Sequence, residues 1–194
     1  TKRTPQTMQS ELKSRYFLKY SREITLDPNT AHGLIFLSRN NREATLLRQN
    51  QNYSEHLHKF SDFYQVLSSE SLTGRCYWEV EWSGYGVAIA VSYKNIKRKG
   101  RSDDCVFGHN VNSWVLDCNN INGCSFWFDK SRIRVSGPDG SRIGVYLDHS
   151  EGALEFYNIQ DKTVRLLHRV KTTFTQTLYA GVWFNWDFKD SVQF

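Results

Sequence analysis

From Ile24 onward, apolar and polar residues alternate with a period of two, in short segments separated by Gly, Asn, Asp and Ser. This patterning limits the fold more than any other feature, because only a half-buried strand repeats every two residues. In the run from Tyr77 to Trp82, Trp78, Val80 and Trp82 point one way and Tyr77, Glu79 and Glu81 the other. Ile143, Val145 and Leu147 alternate, as do Leu154 and Phe156, and the turn from Ser150 to Gly152 joins them as a hairpin. Further strands are expected at 34–37, 44–47, 86–92, 113–117, 125–128, 164–170 and 179–184. Many short strands at this spacing define an all-β sandwich or barrel. Strands do not alternate with helices, so a parallel α/β fold is not expected.

The first residues follow a different period. Met8, Leu12, Tyr16 and Tyr20 recur every four positions among charged residues, with Pro5 placed for a first turn. A short amphipathic helix is expected there. Two connections are long, polar and irregular: Arg48 to Ser61 and Lys97 to Asn112. On a β scaffold, loops of this kind are where a working surface is built.

Composition excludes some classes of function. No apolar run reaches the roughly 20 residues of a membrane span, and the opening residues lack the apolar core of a signal peptide. The four cysteines, Cys76, Cys105, Cys118 and Cys124, form no CxxC pair and have no zinc spacing. Four free thiols and a reducing cytoplasmic compartment are expected. A net charge of +5 is compatible with RNA or an acidic partner but does not select either.

No nucleophile elbow or phosphate-cradling loop is present, so no catalytic residue is assigned and no cofactor is expected. His56 and His58 flank Leu57 without further ligands at metal spacing, and no metal site is assigned. The stretch Lys94, Lys97, Arg98, Lys99 and Arg101 is the feature that most resembles a nucleic-acid contact, with Tyr93 and Phe107 close in sequence. Trp78, Trp82, Trp114 and Trp127 fall within alternating strands and are read as core or core edge. The segment from Trp183 to Phe188 is too aromatic to bury on one face, so some of its rings are expected at a partner surface.

From Ile24 to its end, the chain resembles the PRY-SPRY family. The PRY part carries Leu26-Asp27-Pro28-Asn29-Thr30-Ala31-His32. The SPRY part carries Gly74-Arg75-Cys76-Tyr77-Trp78-Glu79-Val80-Glu81, Ser113-Trp114 and Gly144-Val145-Tyr146-Leu147-Asp148. The wording is similar to a branch expanded in fishes that includes tripartite-motif proteins, NOD-like receptors and stonustoxin-type toxins. The resemblance implies a bent sandwich of two antiparallel sheets with a short N-terminal helix. It divides the chain into a helical linker at 1–23 and a PRY-SPRY domain at 24–194, with PRY at about 24–70 and SPRY at about 71–194.

The resemblance also implies a non-catalytic, protein-binding module of a tripartite-motif-like ubiquitin ligase in innate immunity. The alternatives are RNA binding through residues 94–101, or a docking domain of a NOD-like receptor or pore-forming toxin. The expected partner is a protein, with no membrane. The full-length protein would dimerise through a coiled coil, while the isolated domain stays monomeric. Ligand-binding positions carried over are Tyr53, Tyr93, Lys94, Phe107, Asn110, Asp117, Asn119, Trp183, Phe184 and Trp186. Relatives place tryptophans at the positions of Asp117 and Asn119, so a more polar pocket is expected here.

Overall fold

The computed structural model describes residues 5–161, 163–185 and 187–194, and the helix side chains from Gln9 onward. Helix α1 (Pro5–Leu18) leads into thirteen strands: β1 (Ile35–Ser38), β2 (Glu43–Leu46), β3 (Gln65–Leu72), β4 (Arg75–Ser83), β5 (Gly86–Tyr93), β6 (Ser113–Asn119), β7 (Gly123–Phe128), β8 (Ser131–Val135), β9 (Arg142–Asp148), β10 (Ala153–Gln160), β11 (Thr163–Lys171), β12 (Leu178–Trp183) and β13 (Ser191–Gln193). They form two antiparallel sheets, ordered β1-β2-β13-β4-β9-β10-β11 and β3-β12-β5-β6-β7-β8. The period-two pattern thus resolves as a sandwich.

The core lies between the sheets. Trp78, Val80 and Trp82 of β4 meet Ile89, Trp114, Phe126 and Phe156 from both layers. Trp114 stacks on Phe128 at 5.2 Å and meets Phe174 edge-on at 5.1 Å. Trp78, Trp114 and Phe156 are all buried, as their alternation requires. Three strands were not expected. β3 has little apolar alternation, β8 is five residues long and exposed except at Val135, and β13 is only three residues long.

The helix is present, but it buries a different face from the one expected. Leu12 and Tyr16 are 66% and 40% exposed, while Ser10 and Phe17 are buried. The side chain of Met8 lies outside the described residues. A repeat of four drifts around a helix of 3.6 residues per turn, whereas Ser10, Lys13 and Phe17 stay on one side. Phe17 stacks on Tyr77 at 4.7 Å and also meets Tyr146 and Tyr157. The Lys13 ammonium lies 4.3 Å from the Tyr157 ring centre. These tyrosines face outward from the seven-stranded sheet and are buried under Phe17 of the helix, with Tyr20, Ile159 and Val164 packed against the cluster. Gly144 makes room for them, since a Cβ there would come within 2.5 Å of the Tyr77 hydroxyl.

The cysteine expectation is corrected. Cys118 and Cys124 form a disulfide, while Cys76 and Cys105 are buried free thiols. The cause is register: the turn after β6 pairs Asn119 with Gly123, which sets Cys118 directly opposite Cys124. Cysteine usage therefore gives no support to a reducing compartment. Among the described residues, no helix is long and apolar enough to cross a membrane.

Candidate interaction surface

The outer face of the six-stranded sheet is covered only in part. Phe60 and Phe107, from the two long loops, and Ile96, just before the second, pack over Leu67, Ala88, Ala90 and Val115. Gly108 lets the second loop approach closely: its φ is +81°, and a Cβ there would lie 2.4 Å from Val115 Cγ1. Beyond this cover the face is open. Strand registers lay out two rows across it, Trp183-Ala88-Asp117-Ser125-Arg134 and Gly181-Ala90-Val115-Trp127-Arg132. Trp127 and Trp183 stand half-buried over small residues.

His109 links the two tryptophans, stacked on Trp127 at 5.2 Å and edge-on to Trp183 at 5.9 Å. Asp103 holds this loop in place by pairing with Lys130 at 3.0 Å and with His109 at 3.5 Å. The Lys130 hydrogen bond, then that of His109, keeps the Asp103 carboxyl below the usual carboxylate range. Asp117 accepts a hydrogen bond from Asn185 at 3.1 Å. The Arg132 guanidinium lies 5.4 Å from the Trp127 ring centre and donates to Ser125 at 2.9 Å. Arg134 reaches the Asn122 carbonyl, and neither arginine pairs with a carboxylate among the described residues. Beside this face lies a cleft of about 470 Å³ that shares Trp183 and is walled by Tyr64, Phe188 and Arg48. The Arg48 guanidinium lies 4.5 Å from the Phe188 ring centre.

The expected site residues divide clearly. Asp117 and Trp183 belong to the open face, Lys94 is exposed beside Tyr179, and Tyr53 is half-buried in a neighbouring cleft. Phe107 and Phe184 are fully buried and cannot offer their rings to a partner. Tyr93 is buried too, edge-on to Trp114, with its hydroxyl accepting the Thr175 N–H. Asn110 spends its side chain closing the loop, donating to the carbonyls of Asp103 and Val106. Asn119 holds its own turn through the N–H groups of Ile121 and Asn122. Trp186 lies outside the described residues.

The basic stretch is also largely engaged within the fold. Arg98 is buried and donates to the carbonyls of Ile96, His58 and Lys94. Lys97 pairs with Asp104 and Arg101 with Asp62. Among the described residues, no group of three or more His, Cys, Asp and Glu side chains could hold a metal ion.

The alternation places Trp127 in the core or at its edge without telling which side of the sheet it takes, and nothing in the sequence pattern marks His109, Arg132 or Arg134. The missed strand β8 supplies both arginines. Trp127 alternates as regularly as any core tryptophan, so only its sheet's outward side distinguishes it.

Fold and open face together define an antiparallel two-sheet sandwich whose loops crowd one outer surface. Residues 24–72 match the PRY family, described as the SPRY-associated domain, and residues 75–194 match the SPRY domain. The chain belongs to the PRY-SPRY family. It is 40% identical to stonustoxin subunit beta of Synanceia horrida over 164 residues, covering 84% of this chain and 23% of the toxin subunit. It is 32% identical to tripartite motif-containing protein 16 of Mus musculus over 171 residues, covering 86% of this chain and 30% of that protein. The chain thus spans between about a quarter and a third of these relatives. The stonustoxin structure superposes with a TM-score of 0.85 at 34% identity, over 91% of this chain and 29% of that one. The TRIM65 PSpry domain superposes with a TM-score of 0.84 at 25% identity, over 100% of this chain and 97% of that one.

Proposed function

We propose that this chain is the protein-recognition module of a tripartite-motif-like ubiquitin ligase acting in innate immunity, without catalytic chemistry of its own. The observation that carries the binding role is the open wall of Trp127, His109 and Trp183. Rigid, half-covered aromatics bordered by Arg132, Arg134 and Asp117 have the composition of an interface centre. The TRIM65 PSpry domain, matched over nearly its whole length, supports the tripartite-motif assignment. Cytoplasmic placement and dimerisation of the full-length protein through a coiled coil belong to the same reading.

A second reading, a docking or assembly domain of a toxin subunit, is favoured by two observations. These are the 40% identity to stonustoxin subunit beta and the Cys118–Cys124 disulfide, a bond that oxidising surroundings maintain. The discriminating experiment is capture of proteins on the immobilised parent and on Trp127→Ala and Trp183→Ala variants. Candidates are then purified and titrated by calorimetry. The binding reading expects proteins retained by the parent and lost by both variants. Retention that is equal on all three, or abolished by ribonuclease, would overturn it.

A further inference from the structure

A second cleft, of about 290 Å³, lies under the first long loop, between His32 and Gly33 on one side and Asn52, Tyr53, Lys59 and Ser61 on the other. Its floor carries an unusual group. Lys59 is only 6% exposed, yet among the described residues its ammonium forms no ion pair. It donates to the Ala31 carbonyl at 3.1 Å and lies 4.8 Å from the Tyr53 ring centre. The Ala31 carbonyl takes one of the three N–H donors of the ammonium and the Tyr53 ring faces it, so its donors are not all used by hydrogen bonds within the fold. Burying a cation without a counter-charge is unfavourable, and the cost falls when an anion pairs with it. Burial lowers the Lys59 pKa, while the exposed Glu55 opposes that shift.

We infer that this cleft receives a carboxylate of the bound protein partner, held by Lys59 and screened from water by the loop. The inference rests on the protein-binding reading for the source of the carboxylate. The charges set its valence. Lys59 and Lys99 line the cleft with one acid, Glu55, so the surplus matches a single negative charge rather than a phosphate dianion. His32 contributes no charge. Its Nδ1 accepts the Leu34 N–H at 3.0 Å, and burial lowers its pKa, so the ring is neutral. The cleft also adjoins the aromatic surface. His32 meets Tyr64 edge-on at 4.8 Å, and Tyr64 walls the cleft that shares Trp183. A partner segment on the Trp183 face would reach this cleft past Tyr64 and His32.

The test is a nuclear magnetic resonance titration of the whole isotope-labelled chain. The probes are N-acetylglutamate α-amide for a side-chain carboxylate and N-acetylglycine for a chain terminus. N-acetylglutamine α-amide serves as the neutral isostere and inorganic phosphate as the dianion. At least one carboxylate probe should give saturable shifts at Gly33, Asn52, Ser61 and the Lys59 side chain, and the tighter of the two identifies the source. The isostere should give none, and phosphate should bind more weakly. Lys59→Gln, which keeps a donor for Ala31, should weaken carboxylate binding at least about tenfold, with Lys99→Ala as a milder surface variant. Shifts that do not saturate, that spread evenly over exposed lysines, or that are as strong with phosphate would overturn the inference. If the parent shows no carboxylate signals while Trp183→Ala still loses the protein partner, the cleft is refuted and the binding face stands. Carboxylate signals with intact partner capture by Trp183→Ala would refute the face and leave the cleft.

Discussion

The two sheets of this sandwich carry aromatic residues on their outer faces and treat them in opposite ways. On the seven-stranded sheet, Tyr77, Tyr146 and Tyr157 face outward and are sealed by Phe17 of α1. On the six-stranded sheet, Trp127 and Trp183 face outward beneath two loops that stop short of covering them. The tyrosines keep their hydroxyls bonded inside the fold, Tyr77 to Glu79 and Tyr157 to Glu155. Burial, and then the neighbouring carboxylates, push the pKa of both phenols upward. The difference teaches that an outward aromatic becomes core or interface according to what the rest of the chain lays over it. Where a helix supplies a complementary ring, the face is closed. Where polar loops stop at its edge, a surface is left that a partner can complete.

Substitutions in the inner layer, on the sealed face and on the open face should have different effects. Trp114 lies between the sheets, so Trp114→Ala should lose about 3–5 kcal/mol of stability, the usual cost of emptying a large aromatic site. Chemical denaturation measures it, and a parent-like midpoint would mean that the inner layer is misassigned. Phe17→Ala tests the sealed face. It should cost about 3 kcal/mol or less, because detachment of α1 limits the loss. Hydrogen exchange should then rise in α1 and at Tyr77 and Tyr146 while the inner strands stay protected. If exchange is unchanged, the helix does not seal that sheet.

The open face should respond in the other currency. Trp183→Ala should weaken partner binding by about 2 kcal/mol, the scale of an interface hot spot, with a smaller change in stability. Arg134→Glu, on an exposed side chain, should shift affinity and its salt dependence while leaving the melting curve in place. A variant that loses stability but not affinity would move Trp183 from interface to core. The remaining effect concerns the hairpin that carries Asp117 and Trp127. Replacing Cys118 and Cys124 with serine should cost about 2 kcal/mol, since a short closed loop gains less from a cross-link than a long one. Thiol titration of the unfolded chain without reductant should find only the two free cysteines, Cys76 and Cys105, and four reactive thiols would remove the disulfide.

What the sequence determined by itself was the pleat. Period-two alternation depends only on neighbours along the chain, so the strands around Trp78, Trp114 and Phe156, and the turn before Gly152, were legible without a partner strand. The family motifs from Leu26 to Asp148 were legible for a similar reason, being contiguous words in the chain. Tertiary structure alone decided which side of each sheet met water. Trp114 and Trp127 alternate equally well, yet one faces the opposite sheet and the other faces outward. Register decided the disulfide, because Cys118 and Cys124 become neighbours only when the turn pairs Asn119 with Gly123. Contacts distant in sequence made Lys59, Arg98 and Phe107 buried within segments that read as polar loop. Each outcome depends on which segment covers which surface, and that information resides in the packing of remote elements, not in any local window of the chain.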